Sequence, residues 1–123
     1  MAKILLVDDS KMSRKMLRTI LEGMGHEIVG EGADGVEGLA LYKEKNPDIV
    51  TMDITMPQMD GIACLKEIKT LDKNAKVIMI TAAGQSNKLV EALKLGAEEF
   101  ICKPYEPEQI INAIKEVENR KTV

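Results

Sequence analysis

A chain of 123 residues with 45% apolar and 30% charged side chains can build one domain with a core and is too short for two. Its formal net charge of −3 argues against a dedicated nucleic-acid binder, which needs clustered Lys and Arg. No run approaches the ~20 apolar residues of a bilayer span, and Met1-Ala2-Lys3 leads straight into a short apolar run followed by acids, unlike a signal peptide.

The elements alternate along the chain. The apolar run Ile4-Leu5-Leu6-Val7 reads as a buried strand closed by Asp8 and Asp9. Met12, Met16, Leu17, Ile20, Leu21 and Met24 then recur at helical spacing, and Gly25 is predicted to end that helix. His26-Glu27-Ile28-Val29 is a weaker strand, and Ala33-Asp34-Gly35 a turn. Val36, Leu39, Ala40 and Lys43 outline a second helix that stops before Asn46-Pro47.

Ile49-Val50-Thr51-Met52 is a third strand closed by Asp53, and Thr55 to Gly61 reads as a loop. Ile62, Leu65 and Ile68 mark the third helix. Val77-Ile78-Met79-Ile80 is a fourth strand closed by Thr81, and Leu89, Val90 and Leu93 a fourth helix stopped by Gly96. Phe100-Ile101-Cys102 is a fifth strand closed by Lys103, and Pro107 suits the first turn of a last helix carrying Ile110, Ile111, Ile114 and Val117.

Two tyrosines, one phenylalanine and eight methionines predict an aliphatic core with methionine filling its gaps. Cys64 and Cys102 have no paired spacing, so both are expected to be small buried or half-buried thiols in a reducing cytoplasm.

Five strands alternating with five helices imply right-handed crossovers and a parallel sheet. The expected fold is α/β: a flavodoxin-like doubly wound (βα)5 three-layer sandwich of strand order 2-1-3-4-5, one domain over residues 1–123. In that order strands 1 and 3 are neighbours at the switch point, so Asp8, Asp9 and Asp53 converge where ligands bind.

Carboxylates so placed repel one another, by around 4 kcal/mol per pair at ~4 Å and an effective dielectric of about 20. Such a cluster traps protons or binds a hard cation, and oxygen ligands without His or Cys select Mg2+ or Ca2+ over zinc. Few carboxylates with room for water suit Mg2+, whose usual ligand is phosphate. Lys103 can balance the acids or hold a phosphoryl oxygen, Thr81 offers a hydroxyl, and a carboxylate can attack phosphorus to give an aspartyl phosphate. Each residue also has a plainer explanation: Asp8 or Asp9 as a helix cap, Asp53 as a strand-end acid, Thr81 as a β-former, Lys103 as a surface charge.

The combination of Val7-Asp8-Asp9, Asp53-Ile54-Thr55-Met56-Pro57-Gln58-Met59-Asp60-Gly61, Thr81-Ala82-Ala83-Gly84 and Lys103-Pro104 resembles the receiver domain of two-component response regulators over the whole chain, most of all the free-standing chemotaxis type. The resemblance implies that Asp53 accepts a phosphoryl group from a histidine kinase. It assigns Mg2+ to Asp9, Asp53 and the Thr55 backbone carbonyl, with Asp8 acting through water. It places Thr81, Lys103 and the Ala82 backbone N–H on the phosphoryl oxygens, makes Lys103–Pro104 cis, and pairs Thr81 with Phe100 as a switch. Plain core packing is the other account of Phe100, which lacks the hydroxyl of the family's tyrosine. Thr55 and Ala83, at the positions that tune dephosphorylation in the family, bring no acid or amide to orient water.

The expected function is a stand-alone response regulator without an output domain, not a conventional enzyme, in chemotaxis or flagellar motor control. The resemblance implies a chemotaxis-type histidine kinase, a flagellar motor switch or other output protein, and a phosphatase as partners. A cytoplasmic monomer with no nucleic-acid or membrane ligand is expected. A phosphorelay intermediate handing its group to another histidine protein is the alternative. A haloacid-dehalogenase-type phosphohydrolase would need a second acid where Thr55 stands, and an FMN carrier would need a phosphate loop where Asp8-Asp9-Ser10 repels phosphate.

Overall fold

A computed structural model describes residues 1–82 and 86–120 of the chain. Strands β1 (Lys3–Val7), β2 (Glu27–Gly32), β3 (Ile49–Met52), β4 (Val77–Ala82) and β5 (Glu99–Lys103) alternate with helices α1 (Lys11–Gly23), α2 (Gly35–Lys45), α3 (Gly61–Leu71), α4 (Ser86–Lys94) and α5 (Pro107–Glu118). The strands are parallel and ordered β2-β1-β3-β4-β5, as the alternation predicts. None of the described helices is long and apolar enough to cross a membrane.

The period of two in the strands divides the core. Leu5, Val7, Val50, Met52, Val77 and Met79 face a layer that includes Tyr42 of α2, Ile62, Leu65 and Ile68 of α3, and Leu89 of α4. Ile4, Leu6, Ile49, Ile78, Ile80 and Ile101 face the opposite layer, with Leu17 and Leu21 of α1 and Ile110, Ile114 and Val117 of α5. Ile4 through Val7 are at most 1% exposed, and burying each such side chain contributes about 1.5–3 kcal/mol. This sandwiching holds the central strand ends rigidly in place.

Three helix faces differ from the periodicity. Met12 and Met16 are 68% and 50% exposed. At about 100° per residue they lie roughly 100–180° around α1 from the buried Leu17 and Leu21, outside the stripe a helix can lay on a sheet. With Ile20 and Pro107 they line an open apolar cleft between α1 and the start of α5. On α4, Leu89 and Ala92 are buried while Val90 and Leu93 face outward. On α2, Val36 and Ala40 are exposed, and the helix rests on Leu39 and Leu41 together with the buried Gly35, Gly38 and Tyr42.

Met52, Met56 and Met79 are buried in the core, and Met59 and Met24 pack half-buried against it. Cys64 is buried as expected, but Cys102 is exposed. β5 is an edge strand whose inward residue is Ile101, so its neighbours Phe100 and Cys102 face out.

Gly25 and Gly96 take φ of +91° and +101°, the left-handed conformation expected of helix stops. A third glycine matters through space. A Cβ on Gly61 would lie 1.9 Å from the Asp53 carbonyl oxygen, and the Gly61 N–H donates to the Ile54 carbonyl at 2.7 Å. The loop after β3 therefore closes tightly against the backbone of Asp53. Gly61→Ala is expected to cost about 1–3 kcal/mol in urea unfolding, because backbone rather than a flexible side chain must yield.

Thr51, in the middle of β3, buries a hydroxyl oxygen without a partner among the described residues. Thr51→Val is expected to leave stability unchanged or raise it by about 1 kcal/mol in the same measurement, since it removes a desolvated polar group.

Candidate functional site

The register of the three inner strands brings the acids together. Val7 pairs with both Met52 and Gly32, and the ladder runs one residue further on each side. The Asp8 N–H donates to the Gly32 carbonyl at 3.0 Å, and the Asp53 N–H to the Val7 carbonyl at 2.9 Å. Carboxylate oxygens of Asp8, Asp9 and Asp53 consequently lie within 4.8 Å of one another. Asp8 and Asp53 are buried and Asp9 is exposed. Neither Asp8 nor Asp9 caps α1. Ser10 does so, its side chain accepting the Ser13 N–H at 3.1 Å, which leaves the acids outside the helix.

Lys103, arriving from the end of β5, donates to Asp8 Oδ2 at 3.0 Å and lies 3.8 Å from Asp53 Oδ2. Its peptide bond to Pro104 is cis, as the resemblance implies. Asp8 Oδ1 also accepts the Ser10 N–H at 2.8 Å, and Asp53 Oδ1 accepts the Ile54 N–H at 2.8 Å. Burial and the charge of Asp8 push the Asp53 carboxyl up to about 6, although Lys103 and the Ile54 N–H pull the other way. One ammonium does not neutralise three carboxylates.

The donor set fits a hard divalent cation: three carboxylates gathered at one point, two of them buried, with Asp9 open to solvent. Thr55, whose backbone carbonyl is the fourth expected ligand, is exposed in the loop that follows Asp53. Thr81 is buried near the end of β4, its hydroxyl 3.4 Å from the Ala82 carbonyl, and Ala82 is exposed at the strand terminus. Ala83 and Gly84 lie outside the described residues. Phe100 is 44% exposed, so plain core packing does not account for it.

The structure also brings in residues that the strand-end pattern missed. Ser13 Oγ lies 3.4 Å from Lys103 Nζ. Arg14 Nη1 donates to the Asp8 backbone carbonyl at 2.5 Å, and Arg14 Nε to Glu31 at 3.0 Å. A serine directly before a helical run is a legible cap signal, and Ser13 and Arg14 stand in the first turn behind it. Nothing local in the sequence links Glu31 to that turn.

Comparison with known proteins agrees with this geometry. Residues 4–115 match the response regulator receiver domain. The chain belongs to that family. It is 47% identical to chemotaxis protein CheY of Thermotoga maritima over 94% of this chain and 96% of that protein. It is 45% identical to chemotaxis protein CheY of Bacillus subtilis, covering 95% and 98%. Among solved structures, the CheX-CheY-BeF3-Mg+2 complex from Borrelia burgdorferi aligns with a TM-score of 0.91 at 42% identity, over 96% of this chain and 90% of that one. The receiver-domain fold thus holds at identities well above those at which only fold is shared.

Charge repulsion within the receiver site has a measurable consequence. Asp53→Asn removes one of three crowded charges while its amide oxygen can still accept the Ile54 N–H. In the absence of divalent cations at pH 7 it is expected to raise the thermal unfolding midpoint, by several degrees, corresponding to about 1–2 kcal/mol.

Proposed function

We propose that the chain is a phosphoacceptor signalling module in which Asp53 takes a phosphoryl group from the phosphohistidine of a chemotaxis-type histidine kinase. The observation that carries this is the placement of a buried carboxylate within 4.8 Å of two others and 3.8 Å from an ammonium. In the transfer, an Asp53 carboxylate oxygen forms a bond to phosphorus as the phosphorus–nitrogen bond breaks, its electron pair returning to the imidazole. Asp9, Asp53 and the Thr55 carbonyl would hold Mg2+, with Asp8 acting through water. The ion supplies charge neutralisation at the phosphoryl oxygens.

Lys103 needs only a short swing from Asp8 to meet a phosphoryl oxygen on Asp53. The Thr81 hydroxyl and the Ala82 N–H take the others. Thr55 offers no acid or amide to orient a hydrolytic water, so it brings no accelerator of dephosphorylation; the chain is a phosphoacceptor that takes part in its own phosphoryl chemistry, not a conventional enzyme.

Signalling follows from a shift between two states of the face formed by α4, β5 and α5. The outward Phe100 supports this, as do the exposed Val90 and Leu93. As Thr81 turns toward the phosphoryl group, the phenyl ring moves inward. Similarity to chemotaxis proteins CheY favours a regulator acting on a separate output protein. Our first choice for that partner is a flagellar motor switch protein, with a phosphatase ending the signal and the cytoplasm as the compartment. Lacking the hydroxyl, Phe100 would have to engage the switch protein through its ring alone.

Incubation with acetyl phosphate and Mg2+ is expected to add one phosphoryl mass that base and hydroxylamine remove, read by intact-protein mass spectrometry. Asp53→Asn should abolish it, and an unchanged adduct in that variant would remove Asp53 from its role. Onward transfer to a second histidine protein would favour a phosphorelay intermediate, and turnover of a phosphomonoester a hydrolase.

A further inference from the structure

We infer that Arg14 is a positioning residue for the metal-binding carboxylates, holding the Asp8–Asp9 peptide plane in the orientation from which Asp9 meets the cation. This rests on the Mg2+ assignment above. The Asp8 carbonyl and the Asp9 N–H belong to one rigid peptide unit, so fixing the carbonyl fixes the direction in which the chain enters Asp9. Other contacts hold Asp8 itself: its N–H on Gly32, Oδ1 on Ser10 and Oδ2 on Lys103. The Arg14 Nη1 contact, at 2.5 Å, acts on the carbonyl, the side that leads to Asp9.

A guanidinium so close would by itself oppose a bound cation. Glu31 of β2 offsets it, accepting from Arg14 Nε at 3.0 Å and pairing with Arg18 Nη2 at 2.7 Å. The Arg14 side chain is only 14% exposed and that of Glu31 30%, so solvent screens the guanidinium less than its partner. Spanning a backbone carbonyl and a carboxylate at once uses the rigid fork of arginine, which a lysine ammonium cannot reproduce. Arg18, one turn further along α1, shares Glu31 and also pairs with Glu22, but its hydrogen bonds do not include Asp8. It separates positioning from mere pinning of α1 to β2.

The test is Mg2+ affinity by isothermal titration calorimetry, set beside urea unfolding of the metal-free chain. Arg14→Met is expected to weaken Mg2+ binding about tenfold, the scale of lost outer contacts at metal sites. Arg14→Gln replaces it should the methionine variant fail to fold, and Arg14→Lys should recover part of the affinity. Arg18→Met, which also loses ion pairs, should stay within about twofold of the parent affinity whatever its effect on unfolding. A folded Met or Gln variant with parent affinity overturns the inference, as does an Arg18→Met variant weakened as much as Arg14→Met. If the parent chain binds no Mg2+, or Asp9→Asn binds it unchanged, the metal assignment itself fails instead.

Discussion

Three carboxylates crowded at the carboxyl edge of a parallel sheet repel one another, and much of the surrounding structure manages that repulsion. Asp8 and Asp53 are buried by the strands they extend, where solvent cannot spread their charge. Lys103 is brought from the far edge of the sheet to rest on Asp8, and backbone N–H groups of Ser10 and Ile54 bond the two buried acids. These contacts compensate the cluster only in part, as the raised position of the Asp53 carboxyl indicates. A site balanced in this way favours whatever brings positive charge.

The fold supplies the rigidity that such crowding requires. Each inner strand is covered on both faces, so a strand end cannot relax sideways without opening the core. The loop after β3 is equally constrained, because Gly61 packs against the Asp53 backbone where no Cβ fits. Phe100, on the outer face of an edge strand, and the exposed apolar side chains of α4 lie away from the acids but on elements adjoining Thr81 and Lys103.

Much of this was legible in the chain. Short apolar runs ending in Asp8, Asp53, Thr81 and Lys103 identified the strands and their functional ends, because a doubly covered parallel strand must be apolar throughout. Gly25, Gly96 and Pro107 marked helix limits through backbone chemistry that acts locally. Helix faces were less legible. Six apolar residues in α1 and at its C-cap met the helical period, yet the stripe that packs is narrower than the stripe the period allows, and Met12 and Met16 fall outside it. Cys102 read as a buried or half-buried thiol, although the edge position of β5 turns it outward.

The sequence by itself determined the order and type of the elements and pointed to the acids and the lysine that the fold brings together, because apolar periodicity and turn residues act over a few positions. Only the tertiary structure decided how those residues are supported. Lys103 reaches Asp8 across 95 positions of sequence, and Glu31 balances Arg14 across 17. Such pairings depend on strand order, register and helix rotation together, which no local pattern encodes. That is also why Arg14, an ordinary basic residue of an amphipathic helix in the sequence, emerges in three dimensions as a support for the acids with which the strands end.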